Sequence, residues 1–171
     1  IGKVLNDQYM YTGIEKSRAW REFKLLQQMK NMDLNCPTPI AAMLKKTGLY
    51  YQADIILKKI SSARDLHHIL LANSLTADVW KKIGQTIAKF HHHQIYLHDL
   101  NIHNIMLDIE NAVWLIDFDK CQIRQGSNWK NSNIARLKRS FEKEKRLHNI
   151  YWQLADWQIL ISAYNKAAMA N

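Results

Sequence analysis

Apolar side chains recur along this chain in two alternating rhythms, and the change from one to the other marks out its elements. Between residues 17 and 29, Ala19, Phe23, Leu26 and Met29 follow one another at steps of four, three and three, the spacing of a single helix face. A longer helix is predicted over 76–92, where Val79, Ile83, Ile87 and Phe90 form a stripe; Thr76 stands at its N-cap position and Asp78 in its first turn, beside the positive end of the helix dipole. A short helix is expected over 65–71. A closing one over 150–164 carries Leu154, Trp157, Ile161 and Tyr164 as its packing stripe. Between the first two helices, Cys36-Pro37-Thr38-Pro39 stops helical winding and forces an extended connector. Two strands are predicted to follow, over 40–44 and 49–57, turned by Lys45-Lys46-Thr47-Gly48. A second hairpin is predicted from Ile105-Met106-Leu107 and Val113-Trp114-Leu115-Ile116 around the polar connector Asp108-Ile109-Glu110-Asn111. Helices and antiparallel hairpins in this order predict an α+β fold.

The second hairpin carries the candidate chemistry. Asn104 enters its first strand and Asp117 leaves its second, so antiparallel pairing brings both to the same end. An amide oxygen beside a carboxylate is a donor pair that a hard Mg²⁺ ion favours. Asp99, five residues before Asn104, is placed to accept the proton of an attacking hydroxyl. A purely structural reading has Asp99 and Asn104 capping turns and Asp117 ending a strand. It does not account for the convergence of the three.

The run His98-Asp99-Leu100-Asn101-Ile102-His103-Asn104, followed by Ile116-Asp117-Phe118-Asp119-Lys120, resembles the catalytic and metal-binding loops of protein-kinase-like enzymes. Within them it is similar to the small bacterial kinases of lipopolysaccharide assembly that act on 3-deoxy-D-manno-octulosonic acid (Kdo). The stretches Trp20-Arg21-Glu22-Phe23, Ala63-Arg64-Asp65-Leu66 and Trp129 with Asn133-Ile134-Ala135-Arg136-Leu137 extend the resemblance over residues 3–150. It implies a two-lobe kinase-like fold, with residues 1–57 as a truncated N-lobe and 58–171 as a mostly helical C-lobe. It also implies ATP and Mg²⁺ as cofactors, Asp99 as catalytic base, Asn104 as a metal ligand and Asp117 as the principal one. Glu22 matches the helix-C glutamate that pairs with a phosphate-binding basic residue; the competing reading is an exposed helix glutamate beside Arg18 and Lys24. The hinge, where adenine would meet backbone groups, is expected near residues 56–60. The implied reaction is ATP-dependent phosphorylation of a Kdo hydroxyl on a lipid A precursor, at the cytoplasmic face of a Gram-negative inner membrane. Two alternatives stand beside it. One is another sugar or small-molecule kinase of the same fold, such as a heptose kinase or an aminoglycoside-type phosphotransferase. The other is a non-catalytic domain that binds anionic lipid or RNA.

The chain departs from the general kinase pattern at three points. Leu97 stands where a His usually precedes the catalytic Asp by two residues, and His98 precedes it directly. Asp119 replaces the glycine of the metal-binding loop, which removes backbone freedom and predicts a loop that does not flip. The five glycines are scattered, with no Gly-rich loop, so the chain is expected to lack the first nucleotide-binding strands and, by itself, to bind ATP poorly and be inactive.

Charge adds a partner to this picture. The formal net charge of +9 suits an anionic one, and the absence of zinc-finger spacing or an aromatic RNP-type strand argues against nucleic acid. Residues 129–146 hold seven basic side chains and two acids, with Ile134, Leu137 and Phe141 on one helical face and Arg136, Arg139, Lys143 and Arg146 on nearly the other. That basic face reads either as solvated surface or as a contact for anionic lipid. No apolar run reaches the ~20 residues that span a bilayer, and the start has no signal-peptide pattern. Cys36 and Cys121 match no zinc spacing and fit a reducing compartment. His91-His92-His93 point to different helix faces and suit a helix C-terminus better than a metal. His103 is open to three roles: orienting Asp99, contacting the acceptor sugar, or stabilising the turn.

Overall fold

The computed structural model describes residues 9–170. The α1 helix, Arg18–Asn31, buries Ala19, Leu25, Leu26 and Met29. Phe23, predicted on that buried stripe, is half-buried and stacks on Trp20 with ring centroids 5.9 Å apart. The α1 helix leans on a hairpin of β2, Thr38–Thr47, and β3, Tyr50–Lys58; β1, Tyr9–Met10, adds to the far edge of β3, giving the antiparallel order β1-β3-β2. The hairpin runs longer than predicted, because Lys45, Lys46 and Thr47 pair with Gln52, Tyr51 and Tyr50 and leave only Gly48-Leu49 as the turn. Gly48 sits at φ 61°, the left-handed backbone that a two-residue hairpin turn demands. The lysines that read as turn residues instead lie on an edge strand, where charge discourages pairing with another chain. The ladder slips between Pro39 and Ala41, where proline has no N–H to give.

The rest is mostly helical. The α2 helix, Leu66–Ala72, is capped by Asp65, whose carboxylate accepts from His68 N–H at 3.0 Å. The α3 helix, Ala77–His92, buries the predicted Val79, Ile83, Ile87 and Phe90 together with Trp80. It packs along α5, Leu154–Met169, and Gly84 is a point of close approach: a Cβ there would stand 3.0 Å from Tyr164 N and closer still to the Leu160 carbonyl oxygen. The α5 helix starts four residues later than predicted. Ile150 and Trp152 are buried in an irregular segment, and a reciprocal cap between Gln153 and Asp156 sets the first turn. Leu154 is therefore 57% exposed, not buried, and Leu160 fills the core beside Trp157 and Tyr164. The α4 helix, Lys130–His148, inserts Leu137 and Phe141, with Phe141 packed between Trp80 and Trp152 at centroid distances of 5.6 and 5.5 Å.

Two small antiparallel sheets frame the loops of interest. In one, β4 (Arg64–Asp65) pairs with β6 (Ile105–Leu107), which pairs with β7 (Val113–Leu115); in the other, β5 (Ile95–Tyr96) pairs with β8 (Gln122–Ile123). The architecture is α+β. Among the described residues no helix is long and apolar enough to cross a membrane. Residues 1–8 of the predicted N-lobe lie outside the described residues.

Candidate active site

The predicted β6–β7 hairpin forms with Ile105 opposite Leu115, and Ile116 N–H extends it by donating to the Asn104 carbonyl at 3.0 Å. Asp99, Asn104 and Asp117 thus line one small cleft with Leu97, Ile116 and Cys121. Asp99 and Asp117 also open, with His98, Asp119 and Lys120, onto a hollow of about 170 Å³. A larger cavity, about 850 Å³, lies elsewhere, against α3 and α5.

Local hydrogen bonds aim these side chains. Asn101 Oδ1 accepts from the N–H groups of His103 and Asn104 at 2.8 and 3.2 Å, winding residues Ile102–Asn104 into a 3-10 turn. The side-chain amides of Asn101 and Asn104 both donate to the Asp99 carbonyl, at 3.1 and 3.0 Å. With its Nδ2 committed there, Asn104 keeps Oδ1 as a free acceptor, and Asp117 presents an exposed carboxylate from the facing strand end. These are hard oxygen donors and fit Mg²⁺. Asp117 stands at φ 64°, uncommon for a residue with a Cβ and a conformation that surrounding contacts must hold.

Those contacts are visible on both sides of Asp117. Phe118 is 1% exposed and stacks on Phe90 at 5.9 Å. Cys121 Sγ lies 3.8 Å from the Asp117 carbonyl, to which it donates, and accepts His98 N–H at 3.4 Å, so one buried thiol links the two loops. Burial pushes that thiol up to about 12, with only the His98 amide opposing, and it stays protonated. Asp119 receives Arg18 of α1 through both carboxylate oxygens, Nε to Oδ1 at 2.8 Å and Nη2 to Oδ2. The predicted stiffness of the Asp117–Asp119 loop thus has a partner: Arg18, read from sequence only as a neighbour of Glu22, is its anchor.

Glu22 is half-buried one helical turn from Arg18. Burial raises its carboxyl to about 7, and the nearby Asp119 and Asp117 push in the same direction, against the Phe118 amide and Arg18. It makes no salt bridge among the described residues. The site therefore offers a carboxyl that a cation would return to its ionised form.

The basic α4 helix does something that its charge pattern hid. Arg136 turns to Asp99, with Nη1 3.2 Å from Oδ1. On the same stripe, Asn133 Oδ1 accepts Leu97 N–H at 3.1 Å, Ser140 Oγ accepts Ile102 N–H at 3.1 Å, and Glu144 stands 3.4 Å from His103 Nε2. Arg139, Lys143 and Arg146 remain exposed. His103 is turned to Glu144; it makes no bond to the Asp99 side chain. In the triple-His run, His91 is buried against Tyr164 while His92 is exposed.

Comparison with known proteins places this geometry. The model of the lipopolysaccharide kinase (Kdo/WaaP) family matches residues 1–164. The chain is 45% identical over 162 residues to a 3-deoxy-D-manno-octulosonic acid kinase of Vibrio cholerae, covering 95% of this chain and 69% of that protein. Enzymes of the same description from Photobacterium profundum and Haemophilus influenzae are each 44% identical, with 96% of this chain and 70% of theirs covered. At that identity and coverage, with the Asp99, Asn104 and Asp117 cleft in place, the chain belongs to the lipopolysaccharide kinase (Kdo/WaaP) family and is a phosphotransferase.

Proposed function

We propose that this chain is the catalytic part of a Kdo kinase with a protein-kinase-like two-lobe fold. The convergence of Asp99, Asn104 and Asp117 on one cleft, in a chain of this family, carries the reading. The α1 helix and the β1-β3-β2 sheet, up to residue 57, belong to the N-lobe, and residues 58–171 form the C-lobe. Asp99 orients the attacking Kdo hydroxyl and accepts its proton, while Arg136 and the Asn101–Asn104 hydrogen bonds fix its position. Asn104 Oδ1 and the Asp117 carboxylate would hold Mg²⁺, whose role when bound is to neutralise charge on the ATP phosphates. Glu22 is the carboxyl that takes a phosphate-binding basic residue; its burial beside Asp117 and Asp119 supports that assignment. Arg139, Lys143 and Arg146, exposed on α4, meet anionic headgroups and keep the enzyme peripheral on the inner membrane while it works on the Kdo of a lipid A precursor.

The test incubates the full-length enzyme with Mg²⁺, γ-labelled ATP and a Kdo-bearing lipid A precursor, beside an Asp117→Ala control. Label on the lipid that disappears in the control is the expected result. Asp117-dependent ATP turnover without labelled lipid would keep the kinase and discard the acceptor. No turnover in either protein overturns the reading.

A further inference from the structure

Beyond the catalytic hollow, three imidazoles from three elements turn towards one buried carboxylate. His67 comes from α2, His103 from the 3-10 turn before β6, and Glu144 and His148 from successive turns of α4. Glu144 is only 5% exposed. His67 Nε2 and His148 Nε2 stand 3.3 and 3.4 Å from Glu144 Oε2, and His103 Nε2 stands 3.4 Å from Oε1. The donor atoms of His67, Glu144 and His148 all lie within 4.8 Å of one another. His67 Nε2 is fully buried and makes no hydrogen bond, although it is aimed at that carboxylate.

These spacings suit an ion. A tetrahedral centre with bonds of about 2.0–2.1 Å has ligand-to-ligand edges of roughly 3.3–3.4 Å. The His67 and His148 separations from Glu144 Oε2 match such edges, while His103 meets the other carboxylate oxygen, Oε1. A buried carboxylate ringed by imidazoles also needs positive charge nearby. One cation bound by neutral rings supplies it without placing charged rings side by side, and the His67 and His103 centroids are only 4.5 Å apart. Lys143 Nζ, 3.9 Å from Glu144 Oε1, is the other positive group at the rim, on a side chain that is 62% exposed and free to move away. Two imidazole nitrogens with one carboxylate oxygen favour zinc-class ions over Mg²⁺ or Ca²⁺. The neighbouring His68 is not part of the set: its Nδ1 is 2.6 Å from Asp65 Oδ2, and Asp65 is committed to capping α2.

We propose that His67, Glu144 and His148 form a structural site for a zinc-class divalent cation that clamps α2 to α4, with His103 as the outer partner that orients the Glu144 carboxylate. The site is separate from the oxygen donors Asn104 and Asp117 and does not depend on which sugar is phosphorylated.

Co²⁺ gives a visible absorption band in a tetrahedral nitrogen and oxygen site, so binding is readable without an activity assay. EDTA-dialysed full-length enzyme is titrated with Co²⁺, then with Zn²⁺. One equivalent of Co²⁺ should produce the band, Zn²⁺ should displace it, and Zn²⁺ should raise the melting temperature. His148→Gln removes a half-exposed ligand from the helix surface, so the fold is expected to survive, which circular dichroism checks. It should weaken Co²⁺ binding by more than the roughly 10–100-fold that loss of an outer-shell partner costs. His103→Gln, which removes only an outer partner, should weaken it within that range, whereas Asp117→Asn should leave the band intact. Absence of both the band and the thermal shift in the parent enzyme overturns the proposal. So does a band that persists undiminished in His148→Gln.

Discussion

Lowering the pH from about 7 to 5 should loosen the pairing of α3 with α5 through His91. This ring is 1% exposed, its Nδ1 lies 2.8 Å from the Tyr164 hydroxyl, and it meets Trp129 edge-on at 5.0 Å. Burial pushes its pKa down to about 4, Lys130 adds to that, and the Asn133 side chain opposes it. In the unfolded chain the same ring titrates near its ordinary value of 6.5. Between those two values the unfolded state holds a proton that the folded state refuses, so stability falls as pH falls. The contribution is fully present above about pH 6.5 and is lost on approach to pH 4, in total about 3 kcal/mol at ~1.4 kcal/mol per unit. From pH 7 to 5 the loss is about 2 kcal/mol, or roughly 4–8 °C in melting temperature for a protein of this size. Urea unfolding followed by tryptophan fluorescence at pH 7, 6 and 5 measures it, with His91→Gln as the comparison. His67 and His93, also lowered by burial, contribute to both proteins and drop out of the difference. The variant should be less stable at pH 7 but show a shallower slope. Parallel curves for the two proteins would falsify the assignment of that slope to His91.

Further outcomes follow from contacts at other points. Gly84→Ala places a methyl against the Leu160 carbonyl and Tyr164 N, and even after the helix-propensity gain it should cost about 1–3 kcal/mol in a thermal melt; an unchanged melting temperature would mean that α3 and α5 separate freely. Arg136→Ala breaks an exposed pair with Asp99, so stability should change by less than about 1 kcal/mol while kcat falls about five- to tenfold. An unchanged kcat would leave Arg136 as plain surface charge. Asp119→Ala releases Arg18 from the Asp117–Asp119 loop, and hydrogen exchange over residues 117–121 should quicken; equal protection in both proteins would show that Phe118 alone holds the loop.

Local elements were readable where one period dominated. The α3 stripe kept its face because Val79, Ile83, Ile87 and Phe90 all meet a broad core. The β6–β7 hairpin followed because a polar connector separates two apolar runs, and its ladder then fixed the meeting of Asn104 and Asp117. Element ends were harder. Lys45 and Lys46 look like turn residues, yet an edge strand accepts them, and the real turn needed only Gly48-Leu49. Ile150 and Trp152 continue an apolar rhythm into α5 but are buried from an irregular segment, and the Gln153–Asp156 cap places Leu154 in solvent. Burial of His91 was not legible either. Its neighbours His92 and His93 have the same chemistry, and the arrival of Trp129 and Tyr164 from later in the chain distinguishes it.

The α4 helix shows why long-range polar pairing escapes a sequence reading even when periodicity is plain. Ile134, Leu137 and Phe141 set its buried face correctly, and everything else then looks like a charged exterior. Yet Asn133, Arg136, Ser140 and Glu144, spaced by three, four and four, run along the margin of that buried face. They meet Leu97, Asp99, Ile102 and His103 in the same order along the loop before β6. A hydrogen-bonding stripe at a core margin has the composition of ordinary surface, because one helix supplies only half of each bond. What separates its members is depth: Asn133 and Glu144 are 2% and 5% exposed, so each must find a partner, whereas Arg139 and Arg146 can remain in water. The helix therefore divides its charge between two tasks. Arg136 belongs to the geometry around Asp99, and only the outer basic residues are free to meet an anionic surface. Reversing Arg139 and Arg146 to Glu should accordingly weaken binding to anionic vesicles while leaving turnover on a soluble Kdo acceptor near that of the parent enzyme. Equal loss of both would mean that α4 acts as one undivided basic face.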